Sequence, residues 1–214
     1  MFAQQSGKAS HRPRRLAMVV VIALWLVGPI VGTPGVADAA PVLLDISPLS
    51  GKAAQLTFDL IDGDGGMNTS AMIAAVATDG VLGAASSVGG VSGGPLPAAV
   101  TLSDTDFLNT FMQGITLGTF FGFDVSLTVN PAPQAGPPDS FAFFLLNGAG
   151  TASLVTTDLL GDAIALADLG GDNAGVLTLA GSITPKAIPA PMTLGLLVLG
   201  LSMALWQRSR PARA

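Results

Sequence analysis

Hydrophobic and polar positions alternate through the middle of this chain. In residues 55–61, Leu56, Phe58 and Leu60 fall on one side and Gln55, Thr57 and Asp59 on the other. Residues 121–129 repeat the pattern, with Phe121, Phe123, Val125, Leu127 and Val129 set against Gly122, Asp124, Ser126 and Thr128. Period two with one apolar side marks a half-buried antiparallel strand. Shorter runs at 42–46, 71–78, 99–102, 141–147, 153–156, 163–167 and 176–183 predict further strands. Turn signals separate them at Asp62-Gly63-Asp64-Gly65-Gly66, Asp79-Gly80, Asn147-Gly148 and Gly170-Gly171-Asp172-Asn173. Eight or nine short strands at this spacing predict an all-β fold, an antiparallel β-sandwich with jelly-roll or Greek-key connections. Ser103-Asp104-Thr105-Asp106 ahead of Phe107, Leu108, Phe111 and Met112 predicts one short capped helix, the only helix expected in this body. Residues 82–97, dense in Gly, Ser and Pro, and residues 130–138, with four prolines, read as loops.

Both ends break the alternation. Residues 188–206 carry no charge, and Arg208, Arg210 and Arg213 follow them. As a helix this span measures roughly 28 Å, about one hydrocarbon core, and arginines just beyond it would stay in the cytoplasm. At the other end, Lys8, Arg12, Arg14 and Arg15 precede an uncharged apolar stretch over 16–31. Ala37-Asp38-Ala39 then offers small residues where a signal peptidase needs them, so cleavage is expected after Ala39. General secretion is the expected route; the Arg14-Arg15 pair leaves twin-arginine export as an alternative, and an uncleaved anchor is another. Each apolar span has its positive charge on the outer side, which places both termini in the cytoplasm and the middle outside. The expected division is a signal peptide over 1–39, an exported β-sandwich over 40–184 and a sorting tail over 185–214.

In that tail, the short Pro-rich motif Pro189-Ala190-Pro191, the apolar span and the arginine cluster over 208–213 follow one another at the extreme end. This order resembles the PEP-CTERM family of bacterial exported proteins, with Ala190 at the position of the family's central Glu. The resemblance implies recognition by exosortase, a membrane transpeptidase of cysteine type, acting near the motif. It implies transient membrane anchoring followed by display at the cell surface or release. The body, from Leu44-Asp45-Ile46-Ser47 through Phe111-Met112-Gln113-Gly114 to Phe121-Gly122-Phe123-Asp124-Val125, is similar to a subgroup of that family with a single β-rich domain. That subgroup has no established enzymatic role, and some members are associated with biofilm matrix and floc formation.

The composition of the middle narrows the chemistry. Over residues 40–187, thirteen Asp and no Glu stand against Lys52 and Lys186, and Cys, His, Arg, Tyr and Trp are absent. Such an acidic body repels nucleic acid and anionic lipid. Without cysteine, stability rests on a packed core. Ser-His-Asp and Cys-His arrangements are excluded, and so are transition-metal sites built on His or Cys. Asp104-Thr105-Asp106 lacks the glycine of an aspartic-protease box and has no second copy. A glycosidase working with two Asp, or another hydrolase, is the enzyme alternative left open. The glycines at 89–94 are followed by no Lys, so they are not a phosphate-binding loop.

Asp62-Gly63-Asp64-Gly65-Gly66-Met67-Asn68 places hard oxygen ligands at alternate positions on a flexible loop, which suits calcium. The sequence supplies neither a third acidic ligand at the right spacing nor the closing Glu of an EF-hand. The alternative is a Gly-Asp turn in which Asp caps its own backbone. Phe58, Phe121, Phe123, Phe141 and Phe143 have strand-core spacing and are expected inside rather than on a sugar platform. Asn68-Thr69-Ser70 matches a glycosylation acceptor, read here as chance in a chain with a bacterial type of tail. The expected function is therefore an exported, non-enzymatic structural protein of the envelope or matrix, whose partners are signal peptidase and exosortase. The alternative is a calcium-assisted module that binds polysaccharide or a surface protein.

Overall fold

The computed structural model describes residues 39–129, 136–171 and 174–186. The signal segment with Ala37, the motif at 189–191, the apolar span over 188–206 and the arginines at 208, 210 and 213 lie outside the described residues. So does most of the proline-rich stretch at 130–138. Thirteen strands make up the body: β1 (Ala40–Asp45), β2 (Ala53–Ile61), β3 (Ser70–Thr78), β4 (Val81–Val88), β5 (Val91–Gly93), β6 (Val100–Ser103), β7 (Leu108–Thr116), β8 (Phe120–Thr128), β9 (Ser140–Asn147), β10 (Val155–Thr157), β11 (Ala165–Asp168), β12 (Thr178–Leu179) and β13 (Ile183–Pro185). Two single 3-10 turns, Ser47–Leu49 and Leu160–Asp162, are the only helical elements among the described residues. None of the described helices is long and apolar enough to cross a membrane.

The strands form a five-stranded sheet in the order β1-β8-β3-β6-β5, a six-stranded sheet in the order β12-β11-β9-β2-β7-β4, and a small β10-β13 pair. Every pairing between these strands is antiparallel. The all-β antiparallel expectation holds, and the arrangement is consistent with a β-sandwich. Alternation explains how the sheets meet. Leu56, Phe58 and Leu60 of β2 and Phe121, Phe123, Val125 and Leu127 of β8 are buried, so each sheet turns one apolar face inward.

An aromatic row holds the centre. Phe111, Phe58 and Phe143 stand opposite one another across β7, β2 and β9. The rings of Phe58 and Phe143 stack at 4.6 Å. Phe123, from the other sheet, meets Phe58 edge-on at 5.2 Å and Phe143 at 5.1 Å. Phe121 lies 5.9 Å from Phe143. Such offset and edge-to-face pairs add to the apolar area they bury. Phe58, Phe121, Phe123, Phe141 and Phe143 are all inside, as the spacing predicts.

Two of the chain's crossings between the sheets lie side by side, from β3 to β4 through Asp79-Gly80 and from β7 to β8 through residues 117–119. The Asp79 carboxylate ties the crossings together. It accepts hydrogen bonds from the Thr119 N–H at 2.7 Å, the Thr119 hydroxyl at 2.6 Å and the Phe120 N–H at 3.1 Å.

The strand count is thirteen where eight or nine are expected, and three further expectations fail. The helix predicted from Ser103 to Met112 is absent: Leu108–Thr116 is strand β7, between β2 and β4. Its alternation is disguised because Asn109, Thr110 and Gln113 are buried along with Phe111 and Ile115. Those polar groups find partners inside, which lets a strand carry them. Residues 82–97, read as a loop, contain β4 and β5. The run at 176–183 divides into β12 and the start of β13.

Candidate functional site

Three connections converge at one end of the sheets: residues 62–69 after β2, residues 103–107 between β6 and β7, and Asp139 just ahead of β9. Asp139 and Asp104 are buried there, 0% and 3% exposed. Each carboxylate organises backbone from a distant part of the sequence. Asp139 accepts hydrogen bonds from Gly63 N–H at 2.7 Å and Asp64 N–H at 3.3 Å. Asp104 accepts from Asn68 N–H and Thr69 N–H, both at 2.7 Å. Charged acceptors of this kind replace the sheet ladder for a loop that would otherwise bury unpaired N–H groups. Asp104 thus caps the entry to β3 and not a helix.

The loop residues follow from these contacts. A Cβ at Gly63 would stand 2.5 Å from the Pro137 carbonyl oxygen and 2.6 Å from that of Pro138, so only glycine fits between the two segments. Gly65 has a φ of +77°, in the left-handed region. Asp62 accepts from Gly65 N–H at 2.6 Å, and Asp64 from Gly66 N–H at 2.7 Å and the Asn68 side-chain amide at 3.1 Å. These are the self-capping bonds of a Gly-Asp turn.

Asp139 adds a third carboxylate that the sequence reading missed. One oxygen from each of Asp62, Asp64 and Asp139 can be chosen so that all lie within 4.8 Å of one another. That spread matches ligands placed around one calcium ion at roughly 2.4 Å. Six to eight oxygens are the usual complement, so about half of the shell would come from elsewhere. The oxygens of Asp64 and Asp139 already accept hydrogen bonds within the loop.

Thr69 joins the two buried acids. Its hydroxyl lies 2.9 Å from Asp139 Oδ2 and 3.1 Å from Asp104 Oδ2. A hydroxyl carries one proton, so it can donate to only one carboxylate at a time. The other contact is a proper hydrogen bond only when that acid holds a proton of its own. Burial pushes the Asp139 carboxyl above the ordinary Asp range, and the neighbouring Asp64 charge acts in the same direction. The donors at Gly63, Thr69 and Asp64 oppose the rise.

The buried acids do not form the exposed carboxylate pair that a glycosidase presents to a sugar. A shallow depression of about 280 Å³ beside β11 and β12 is lined by Leu166, Ala167, Asp168, Val176 and Thr178, with a single carboxylate. Asn109, also missed from sequence, is fully buried next to the acid end. It accepts from Gly90 N–H at 2.7 Å and donates to the Asp106 carbonyl at 2.6 Å and the Leu60 carbonyl at 3.3 Å. No protein-family model, curated protein or solved structure matches this chain.

Proposed function

We propose that this chain is an exported, non-enzymatic structural protein of the cell envelope or extracellular matrix, a β-sandwich delivered by its C-terminal tail. The observation that carries the reading is the order of Pro189-Ala190-Pro191, an uncharged span over 188–206 and Arg208, Arg210 and Arg213. β1 starts at Ala40, next to the expected cleavage point, and β13 (Ile183–Pro185) reaches the first residue of the expected tail. Signal peptidase and exosortase are the partners in biogenesis, and the finished protein resides at the surface in contact with matrix polysaccharide or protein.

Protease treatment of intact host cells tests this reading. The protein should be degraded from outside, while a variant lacking residues 189–214 should leave the cell surface. A protein protected in intact cells and recovered uncleaved from the cytoplasm would overturn the proposal.

A calcium-assisted binding module is the second reading, favoured by Asp139 joining Asp62 and Asp64 within 4.8 Å. Under it, calcium raises the melting temperature relative to chelator, and the double variant Asp62→Ala/Asp64→Ala loses that rise. Equal melting temperatures with calcium and with chelator would remove it.

A further inference from the structure

The two large sheets end in four edge strands, β1 and β5 on one and β12 and β4 on the other. An open edge presents unpaired N–H and C=O groups and pairs readily with another chain unless it is short, charged, bulged or interrupted by proline. Three of the four are guarded by length, charge or proline, and β4 by one bulge alone. β1 contains Pro41 and Asp45, β12 has two residues, and β5 has three and runs into Gly94-Pro95. β4 has eight residues, Val-Leu-Gly-Ala-Ala-Ser-Ser-Val, with neither charge nor proline. It pairs only with β7 among the described strands, and all of it except Leu82 is exposed.

Charge singles out the same strip. Residues 80–103 carry no charged side chain, in a body where thirteen Asp face two Lys. Two copies repel one another over most of their surfaces, and they can meet without like charges in contact along β4. The strand also matches itself. A bulge between Leu82 and Ala85 sets Val81 opposite Thr116 and Val88 opposite Thr110, which puts both valines on the same face of the sheet. Both are exposed, Val81 at 70% and Val88 at 54%. About a two-fold axis through Ala85, antiparallel pairing places Val81 against Val88 of a second copy at each end. Without the bulge those residues would point to opposite faces and the match would fail.

We propose that β4 is a self-association edge, through which two copies of this chain join their six-stranded sheets into one continuous antiparallel sheet. The inference does not depend on the role proposed above or on the tail. It predicts a two-fold interface in which Ala85 faces Ala85 of the other copy.

The chain contains no cysteine, so a single introduced Cys can form a disulfide only between molecules. Directly opposed residues in antiparallel strands lie about 4.5–5.5 Å apart at Cα, within disulfide range. The test uses the chain as its host makes it, in one buffer throughout. Sedimentation should show a concentration-dependent dimer. Ser86→Lys should weaken it by roughly tenfold or more while leaving the melting temperature of the monomer unchanged. Under mild oxidation Ala85→Cys should cross-link far faster than Leu43→Cys, a control on the guarded β1 edge. A monomer at every concentration would overturn the proposal. So would a dimer indifferent to Ser86→Lys whose Ala85→Cys form cross-links no faster than the control.

Discussion

The aromatic centre and the acid end are both buried, yet opposite chemistries hold them. At the centre, Phe58, Phe111, Phe121, Phe123 and Phe143 pack ring against ring, with no charge to satisfy. At the acid end, Asp104 and Asp139 gather N–H groups from residues 63, 64, 68 and 69, and the Thr69 hydroxyl lies between them. Apolar burial is non-directional and indifferent to pH, whereas a buried acid is directional and sensitive to its proton. The contrast separates what stabilises the body from what shapes one end of it.

The sharpest way to break the contrast is to empty the centre. Phe58→Ala removes the ring that touches Phe111, Phe123 and Phe143 and should cost about 3–5 kcal/mol at any pH, measured by denaturant unfolding. A loss that varied with pH would mean the centre is not the apolar region described. Asp104→Ala comes next. It strands the N–H groups of Asn68 and Thr69 and should cost about 2–3 kcal/mol, with faster amide exchange over residues 68–70.

Asp139→Asn sharpens the comparison through pH. Because the native carboxyl is raised, the folded protein holds its proton where the unfolded chain has released it. Stability contributed by that proton is present below the ordinary Asp range and falls as pH rises through the raised value. The amide of Asn can donate to Thr69, freeing the hydroxyl for Asp104. The variant should therefore lose this pH dependence, seen in melts across the acid range. A variant whose stability still falls with rising pH as the native protein's does would show that Asp139 is not the source.

Asp79 gives the smallest effect, with the opposite sign. The Thr119 hydroxyl, then the Phe120 N–H, hold its carboxyl below the ordinary range, so its contribution is present at neutral pH and lost as pH falls through that lowered value. Asp79→Asn should lower the melting temperature slightly at neutral pH, with the difference vanishing in acid. Thermal melts across pH check both aspartates in one series.

The centre was legible in the sequence and the acid end was not, for a physical reason. Leu56, Phe58 and Leu60, and Phe121 through Leu127, write their burial into a period-two pattern that needs no partner to be read. β7 hides, because Asn109 and Gln113 occupy buried positions that only their distant partners, the Leu60 and Gly83 carbonyls, make tolerable. β4 hides for the converse reason: exposed on both faces, it has no apolar side to alternate. Asp62 and Asp64 were visible as a turn or a ligand pair. Asp139 lies 75 residues beyond Asp64 and follows Pro137-Pro138, and nothing local distinguishes it from any other loop aspartate.

Export with delivery by the tail can be read from the intact mass of the mature protein from its own host, with and without exosortase. The expected chain begins at Ala40 in both strains and is shortened near Pro189-Ala190-Pro191 only when exosortase is present. A mass that retains residues 192–214 in both strains would contradict processing of the tail and leave an envelope protein anchored by its own span.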